Sequence, residues 1–368
     1  MINWALIGYG GMGTWHVAML RKIPDVIHIC GVYDIDEKRN EAARQDGLHA
    51  YASLEELLAD EQVQLVTLAV PNDFHRPLAE ACMHAGKHVI SEKPVTLTSW
   101  DLQAMIDASQ ETGRIFSVHQ NRRWDEDYLV AKKLYDENTL GPVFNIESRV
   151  HGSRGVPGDW RNKLRKGGGM IYDWGVHMID QMLQLIDEDV VSTYCHVTHV
   201  TNDEIDDGFT SVLTFASGKT ALIEVGTSNF VNLPRWYIQG QNGTAVIRDW
   251  DMSGEIVMVS DWEKRDAVPV VTAAGLTKTM APRTEETIKR YPLPRIESDV
   301  KDYYRNIAAA IEGKEKQLVT HPQMMRVMKV MEAMLRSAED PGVRLLWLGD
   351  KDKTSDKALK LKDKSVNE

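Results

Sequence analysis

Apolar and polar positions follow two rhythms along the first 120 residues. Short apolar runs at 3–8, 27–33, 65–70, 88–91 and 115–119 read as strands. Between them, apolar residues recur at helical spacing near 12–23, 37–46, 53–60, 75–85 and 99–112. Ser53 and Glu56 form a capping-box pair at one of these starts. Strand–helix alternation of this kind predicts a parallel sheet covered on both faces, the doubly wound α/β arrangement, over residues 1–120.

After residue 120 the rhythm changes. Helical patterns at 128–138 and 169–186 frame alternating runs at 143–151, 190–200, 208–216, 219–228, 235–241, 244–250 and 254–260. Ala216-Ser217-Gly218-Lys219 and Gln241-Asn242-Gly243-Thr244 are hairpin-turn sequences. Strands in direct succession pair antiparallel. Residues 121–346 therefore read as an α+β domain with a large, mostly antiparallel open sheet, helix-covered on one face. A broad, partly apolar face left open is most readily hidden in a homo-oligomer. Residues 263–298 read as an irregular excursion, 299–312 and 322–338 as helices, and 350–368 as a disordered, charge-rich tail.

Composition narrows the function classes. The net charge of −11 argues against a nucleic-acid surface, which needs a basic footprint. No apolar run approaches the roughly 20 residues of a membrane helix. The chain enters its first strand without a basic leader, and Cys30, Cys82 and Cys195 lie far apart. Both features fit a cytoplasmic protein with free thiols, and no metal centre is expected.

Gly8-Tyr9-Gly10-Gly11-Met12-Gly13 is a GxGxxG segment between a strand and a helix. Such glycines permit a tight turn, close approach of a pyrophosphate to the backbone, and close helix–strand packing. Asp34 ends the second strand, where its carboxylate can accept bonds from ribose hydroxyls. A 2′-phosphate there would meet like charge, at a cost of about 1 kcal/mol in water and about 4 at intermediate dielectric. NAD is therefore expected over NADP, by about tenfold to a thousandfold, with Lys38 and Arg39 near enough to soften the preference. Pro71, Asn72 and His75 follow the third strand at the carboxyl edge, beside the cofactor's nicotinamide half; His75 is given no catalytic role.

Two further constellations carry chemistry. Glu92-Lys93-Pro94 follows the strand at 88–91, so Glu92 and Lys93 are expected to contact the cofactor, with Lys93 aimed into the cleft, where an ammonium can bond a substrate hydroxyl. Gly167-Gly168-Gly169 then opens a helical segment in which Asp173 and His177 stand one turn apart. Histidine is suited to accept a proton from a secondary alcohol as hydride leaves, and a neighbouring carboxylate can orient it. The same pair also fits a surface ion pair or, with Asp180, part of a metal site.

With these residues together, the chain resembles the glucose–fructose oxidoreductase/inositol dehydrogenase family (Gfo/Idh/MocA) from residue 2 to about 346. Ala85 through Pro94 is similar to one family signature, and Trp160-Arg161 with Gly167 through Asp180 to another. The resemblance implies a Rossmann domain followed by an α/β domain paired sheet to sheet in homodimers or homotetramers. It implies that Lys93 is the active-site lysine, Asp173 its acidic partner and His177 the proton acceptor. Arg123, in Asn121-Arg122-Arg123-Trp124, matches a segment that contacts cofactor or shapes the pocket, and Trp160 and Arg161 match loop residues near substrate. Lys166, Tyr172 and Trp174 depart from the usual pattern; Tyr172 and Trp174 are aromatic bulk suited to stack on a sugar or aglycone if they reach the pocket. The implied activity is NAD-dependent oxidation of a secondary alcohol on a sugar, cyclitol or glycoside. Family range also leaves open an NAD-dependent glycosidase and a non-catalytic dinucleotide-binding regulator.

Overall fold

The computed structural model describes residues 1–264, 268–277, 281–340 and 345–346. Five parallel strands build the first sheet: β1 (Ile2–Ile7), β2 (Ile27–Tyr33), β3 (Leu65–Leu68), β4 (His88–Ser91) and β5 (Phe116–Val118), in the order β2-β1-β3-β4-β5. The reversal of order between β1 and β3 makes a crevice at their carboxyl ends. A single parallel bridge from Val32 to Ala50 extends the β2 edge. Strands β3 and β5 are buried throughout, because helices cover both faces.

The helices of this unit are α1 (Gly11–Leu20), α2 (Glu37–Gln45), α3 (Leu54–Ala59), α4 (His75–His84) and α5 (Ser99–Thr112). Asp36 and Thr98 cap α2 and α5 with side-chain oxygens. Ser53 accepts from the Glu56 amide as expected, but the Glu56 carboxylate reaches back to the Ala52 amide, one residue before the capping position.

The second sheet has nine strands. They are β6 (Val143–His151), β7 (Val190–Thr198), β8 (Gly208–Phe215), β9 (Thr220–Gly226), β10 (Trp236–Gly240), β11 (Gly243–Ile247), β12 (Gly254–Val259), β15 (Ile288–Tyr291) and β16 (Leu345–Leu346). All neighbours are antiparallel except β6 and β9. Alternation is clean in β8 and β9, where Phe209, Leu213, Ala221 and Ile223 are buried while Val212, Leu222 and Glu224 are half-exposed on the other face. Helices α6 (Glu126–Asp136), α7 (Val176–Leu185) and α9 (His321–Glu339) cover the buried face. Each aliphatic side chain buried there contributes about 1.5–3 kcal/mol.

Three departures from the sequence reading have physical causes. The segment 263–298 is not wholly irregular: it carries a hairpin, β13 (Val270–Thr272) with β14 (Gly275–Thr277), and β15, which pairs with β12. These strands are short and mostly exposed, so no apolar alternation announces them. The helix read over 169–186 is two elements, a π-helical turn at Ile171–Gly175 running into α7. Helix α8 (Lys301–Ile311) returns to the first domain, where Tyr303 Oη donates to Ser117 Oγ at 3.1 Å and Gln317 Nε2 donates to the Phe116 carbonyl at 3.0 Å. The tail at 350–368 lies outside the described residues.

Candidate active site

The dinucleotide cradle forms where β1 runs into α1. Gly8 adopts φ +98°, and a Cβ there would sit 2.4 Å from the Ala69 carbonyl oxygen; at Gly13 a Cβ would lie 2.0 Å from the Gly8 oxygen. A Cβ at Gly10 or Gly11 would meet nothing within 4 Å, so the backbone faces open space. No side chain caps α1 and no acidic residue occupies its first turn, leaving its N–H groups free for an anion; Met12 is exposed beside them. Asp34 Oδ2 accepts from the Tyr9 amide at 2.7 Å and Oδ1 from the Asp36 amide at 2.9 Å. Each oxygen retains a lone pair for a ribose hydroxyl. These residues fit NAD: free amides for the pyrophosphate and a fixed carboxylate for the adenosine ribose.

The reactive groups gather where the carboxyl edge of the first sheet meets the π-helical turn. The Lys93–Pro94 bond is cis. Lys93 Nζ donates to Asp173 Oδ1 at 2.9 Å and to the Asp173 carbonyl at 3.0 Å. Arg161 Nε donates to Asp173 Oδ2 at 3.1 Å. Burial alone raises the Asp173 pKa, but Lys93 and then Arg161 outweigh it and hold the carboxylate below its ordinary range. Asp173 thus pairs with lysine and arginine and makes no hydrogen bond to His177, a difference from the oriented relay read from one-turn spacing. The π-helical turn widens the pitch between the two residues, so i, i+4 spacing no longer stacks them.

His177 is buried, and its Nδ1 has no hydrogen-bond partner among the described residues, so only Nε2 can meet a ligand. Burial first, then the positive charges of Lys93 and Arg122, push its pKa well below the ordinary imidazole value. The start of this segment is held by Asp206, whose Oδ2 accepts from the Ile171 amide at 2.8 Å. Gly169, at φ +111°, leaves the space that the Asp206 carboxylate fills.

A cavity of about 500 Å³ adjoins Asp173, with Arg122, His151, Met170, Trp174 and Trp250 in its wall. The Arg122 guanidinium lies 4.1 Å from the Trp174 ring centre and 5.5 Å from that of Trp250. Trp174 therefore reaches the cavity. Tyr172 does not line it; its hydroxyl donates to the Leu97 carbonyl.

Other expected positions lie elsewhere. Arg123 is buried in a bidentate pair with Asp180 at 2.6 and 2.7 Å, with further bonds to the Leu318 carbonyl and Gln323, so Arg122 is the member of the pair that lines the cavity. His75 is fully buried against the carbonyls of Val70, Pro94 and Val95, behind the Lys93 turn instead of in the cofactor cleft. Asn72 Nδ2 donates to the Lys166 carbonyl at 3.1 Å and links the domains beside exposed Pro71. Trp160 is covered by the Arg161 guanidinium at 4.7 Å. Glu92 is buried between two histidines, His16 and His119. Sequence reasoning missed Arg122, one position from the residue it chose, and Trp250, which nothing in the loop after β11 marks as part of a site.

Residues 2–120 match the oxidoreductase family with an NAD-binding Rossmann fold, and residues 128–246 match the GFO/IDH/MocA C-terminal domain. The chain is 30% identical over 348 residues to the scyllo-inositol 2-dehydrogenase (NADP(+)) IolW of Bacillus subtilis, covering 92% of this chain and 94% of that protein. It is 28% identical over 251 residues to the inositol 2-dehydrogenase of Salmonella typhimurium, covering 65% of this chain and 72% of that protein. A crystal structure of an NAD-binding protein from Listeria innocua superposes with a TM-score of 0.89 at 45% identity, covering 92% of this chain and 97% of that one. Among the described residues no helix is long and apolar enough to cross a membrane. By sequence, fold and dinucleotide cradle together, the chain belongs to the GFO/IDH/MocA family of oxidoreductases, with an NAD-binding Rossmann domain.

Proposed function

We propose that this protein oxidises a secondary hydroxyl of a sugar, cyclitol or glycoside to the ketone, the C3 hydroxyl of a glucoside being one specific case. NAD in the Gly8–Gly13 cradle, when bound, supplies the acceptor for the hydride leaving the carbinol carbon. The observation that carries this reading is Lys93 fixed by Asp173 at the meeting of the two domains. Two of the three ammonium protons are engaged by Asp173, leaving one to donate to the substrate oxygen and to stabilise negative charge developing there. His177 Nε2 receives the hydroxyl proton, a role its neutral state suits and one worth about 10²–10⁴ in rate. Trp174 and Trp250 offer flat apolar walls for the C–H face of a ring, and Arg122 and Arg161 offer donors for its hydroxyls.

The open sheet face, with Leu222, Val212 and Tyr237 half-exposed beside the Arg149–Glu224 pair, supports a homodimer or homotetramer. The free thiols Cys30, Cys82 and Cys195 suit the reducing cytoplasm. The test is NADH formation across inositols, free sugars and glucosides, with NAD and NADP in parallel. Turnover of a ring polyol with NAD is the expected result. Activity confined to simple aliphatic alcohols overturns the substrate class, and aglycone release without NADH accumulation replaces oxidation with bond cleavage.

A further inference from the structure

Behind Lys93 lies a group of buried polar side chains that the proton chemistry above does not use. Glu92 Oε1 takes hydrogen bonds from His16 Nε2 at 2.9 Å and His119 Nδ1 at 2.8 Å, while Oε2 accepts from the Lys93 amide at 3.1 Å. His16 Nδ1 is bonded to the Tyr304 hydroxyl. All four side chains are buried, His16, His119 and Tyr304 completely.

The proton count fixes the charge. Burial disfavours charge on His16, so it holds a single ring proton, given to Glu92, and its Nδ1 accepts from the Tyr304 hydroxyl. His119 donates its Nδ1 proton to Glu92, and its Nε2 is buried without a partner among the described residues. A charged His119 would leave a buried N–H donor stranded, which costs far more than an idle lone pair. Both rings are therefore neutral, and the cluster carries one negative charge. No lysine or arginine pairs with Glu92 among the described residues; its ion-pair partners are the two histidines. Lys93, Arg122 and Arg123 each have a carboxylate partner of their own, in Asp173, Asp125 and Asp180, so none of them is the counter-ion of Glu92. Glu92 acts on His177 as a negative charge, raising its pKa against the larger lowering by burial, Lys93 and Arg122.

A nicotinamide ring is cationic when oxidised and neutral when reduced. We propose that Glu92, held by His16 and His119, is a buried counter-charge that favours binding of the oxidised dinucleotide over the reduced one. It acts through the field, with no contact to substrate required. A unit charge acting over about 10 Å at an effective dielectric near 20 changes an affinity ratio on the order of tenfold.

The test is calorimetric titration of NAD and NADH into wild type, Glu92→Gln and Glu92→Asp. Wild type is expected to bind NAD at least as tightly as NADH. Glu92→Gln, which keeps shape and removes charge, is expected to weaken NAD about tenfold while NADH moves less than about twofold. Glu92→Asp keeps the charge and is expected to keep the ratio, whatever it loses in thermal stability. An unchanged ratio in Glu92→Gln overturns the proposal, as does an equal loss in Glu92→Asp. A wild-type preference for NADH of about tenfold or more overturns it with no variant needed, should Glu92→Gln not fold.

Discussion

Acid titration of His177 tests the site where it is most specific. Burial, then Lys93 and Arg122, hold the imidazole well below its ordinary pKa. An unperturbed imidazole of pKa about 6.5 keeps only about a tenth of its neutral form at pH 5.5, so a base of that kind would lose about 90% of kcat/KM by then. A buried His177 stays neutral over that interval, and its acid limb falls well below pH 6.5. Asp173 is also held below its ordinary range and remains ionised throughout. Asp206, raised to about 7 by burial, can add an inflection of its own from the start of the same segment. The kcat/KM profile is therefore measured in both wild type and Asp206→Asn. Arg122→Gln removes one of the charges that depress His177 and should move the limb upward, toward the ordinary value. His177→Ala should lower kcat by about 10²-fold or more with NAD affinity unchanged. A limb at the ordinary imidazole position that persists in Asp206→Asn and does not respond to Arg122→Gln would refute the buried-base reading. Linkage gives the matching stability sign: a lowered folded pKa contributes stability that is complete above pH 6.5 and lost as pH falls below it.

Three other perturbations have signs set by the structure. Asp34→Ala should weaken NAD and shrink the NAD/NADP discrimination by about tenfold or more, read from KM ratios; an unchanged ratio would show that Asp34 does not read the ribose. Asp206 is raised from 3.8 to about 7, so its proton-linked stability is complete below pH 3.8 and lost as pH rises through about 7. Asp206→Asn should accordingly gain thermal stability over wild type at pH 8 and much less at pH 5, and a shift equal at both pH values contradicts this. Arg123→Met leaves Asp180 buried without its cation and should cost about 3–5 kcal/mol in urea denaturation, with kcat retained in the folded protein. A loss under about 1 kcal/mol would place that pair in water.

The first domain was legible because its signals are local. Strand β3 is a short apolar run, Gly13 is demanded by contact with Gly8 within one strand–turn–helix unit, and Gly8 sits at the positive φ of that same turn. The site's second half was legible as residue types but not as partners. Asp173 looked like the neighbour of His177 because α-helical spacing was assumed, and the π-helical turn, set by Asp206 from a distant loop, rotated it toward Lys93 and Arg161. Arg122 and Arg123 are adjacent in sequence, and only the tertiary position of Asp180 on α7 decides which turns inward. Trp250 reaches the cavity from a loop whose sequence has no period to read.

The return of α8 to the first domain makes the order of synthesis consequential. Tyr303 and Tyr304 close the packing around β5 and α1, and Tyr304 holds the histidine that holds Glu92. The cofactor half of the molecule is thus encoded at the start of the gene but completed by residues translated after eight of the nine strands of the large sheet. A nascent chain that has released only residues 1–120 presents the glycine turn and Asp34, yet lacks the cover over Ser117, His16 and His119. Cofactor capture and completion of the second domain are thereby coupled into one late event, and the dinucleotide unit is not a module that could be cut out and transplanted at residue 120.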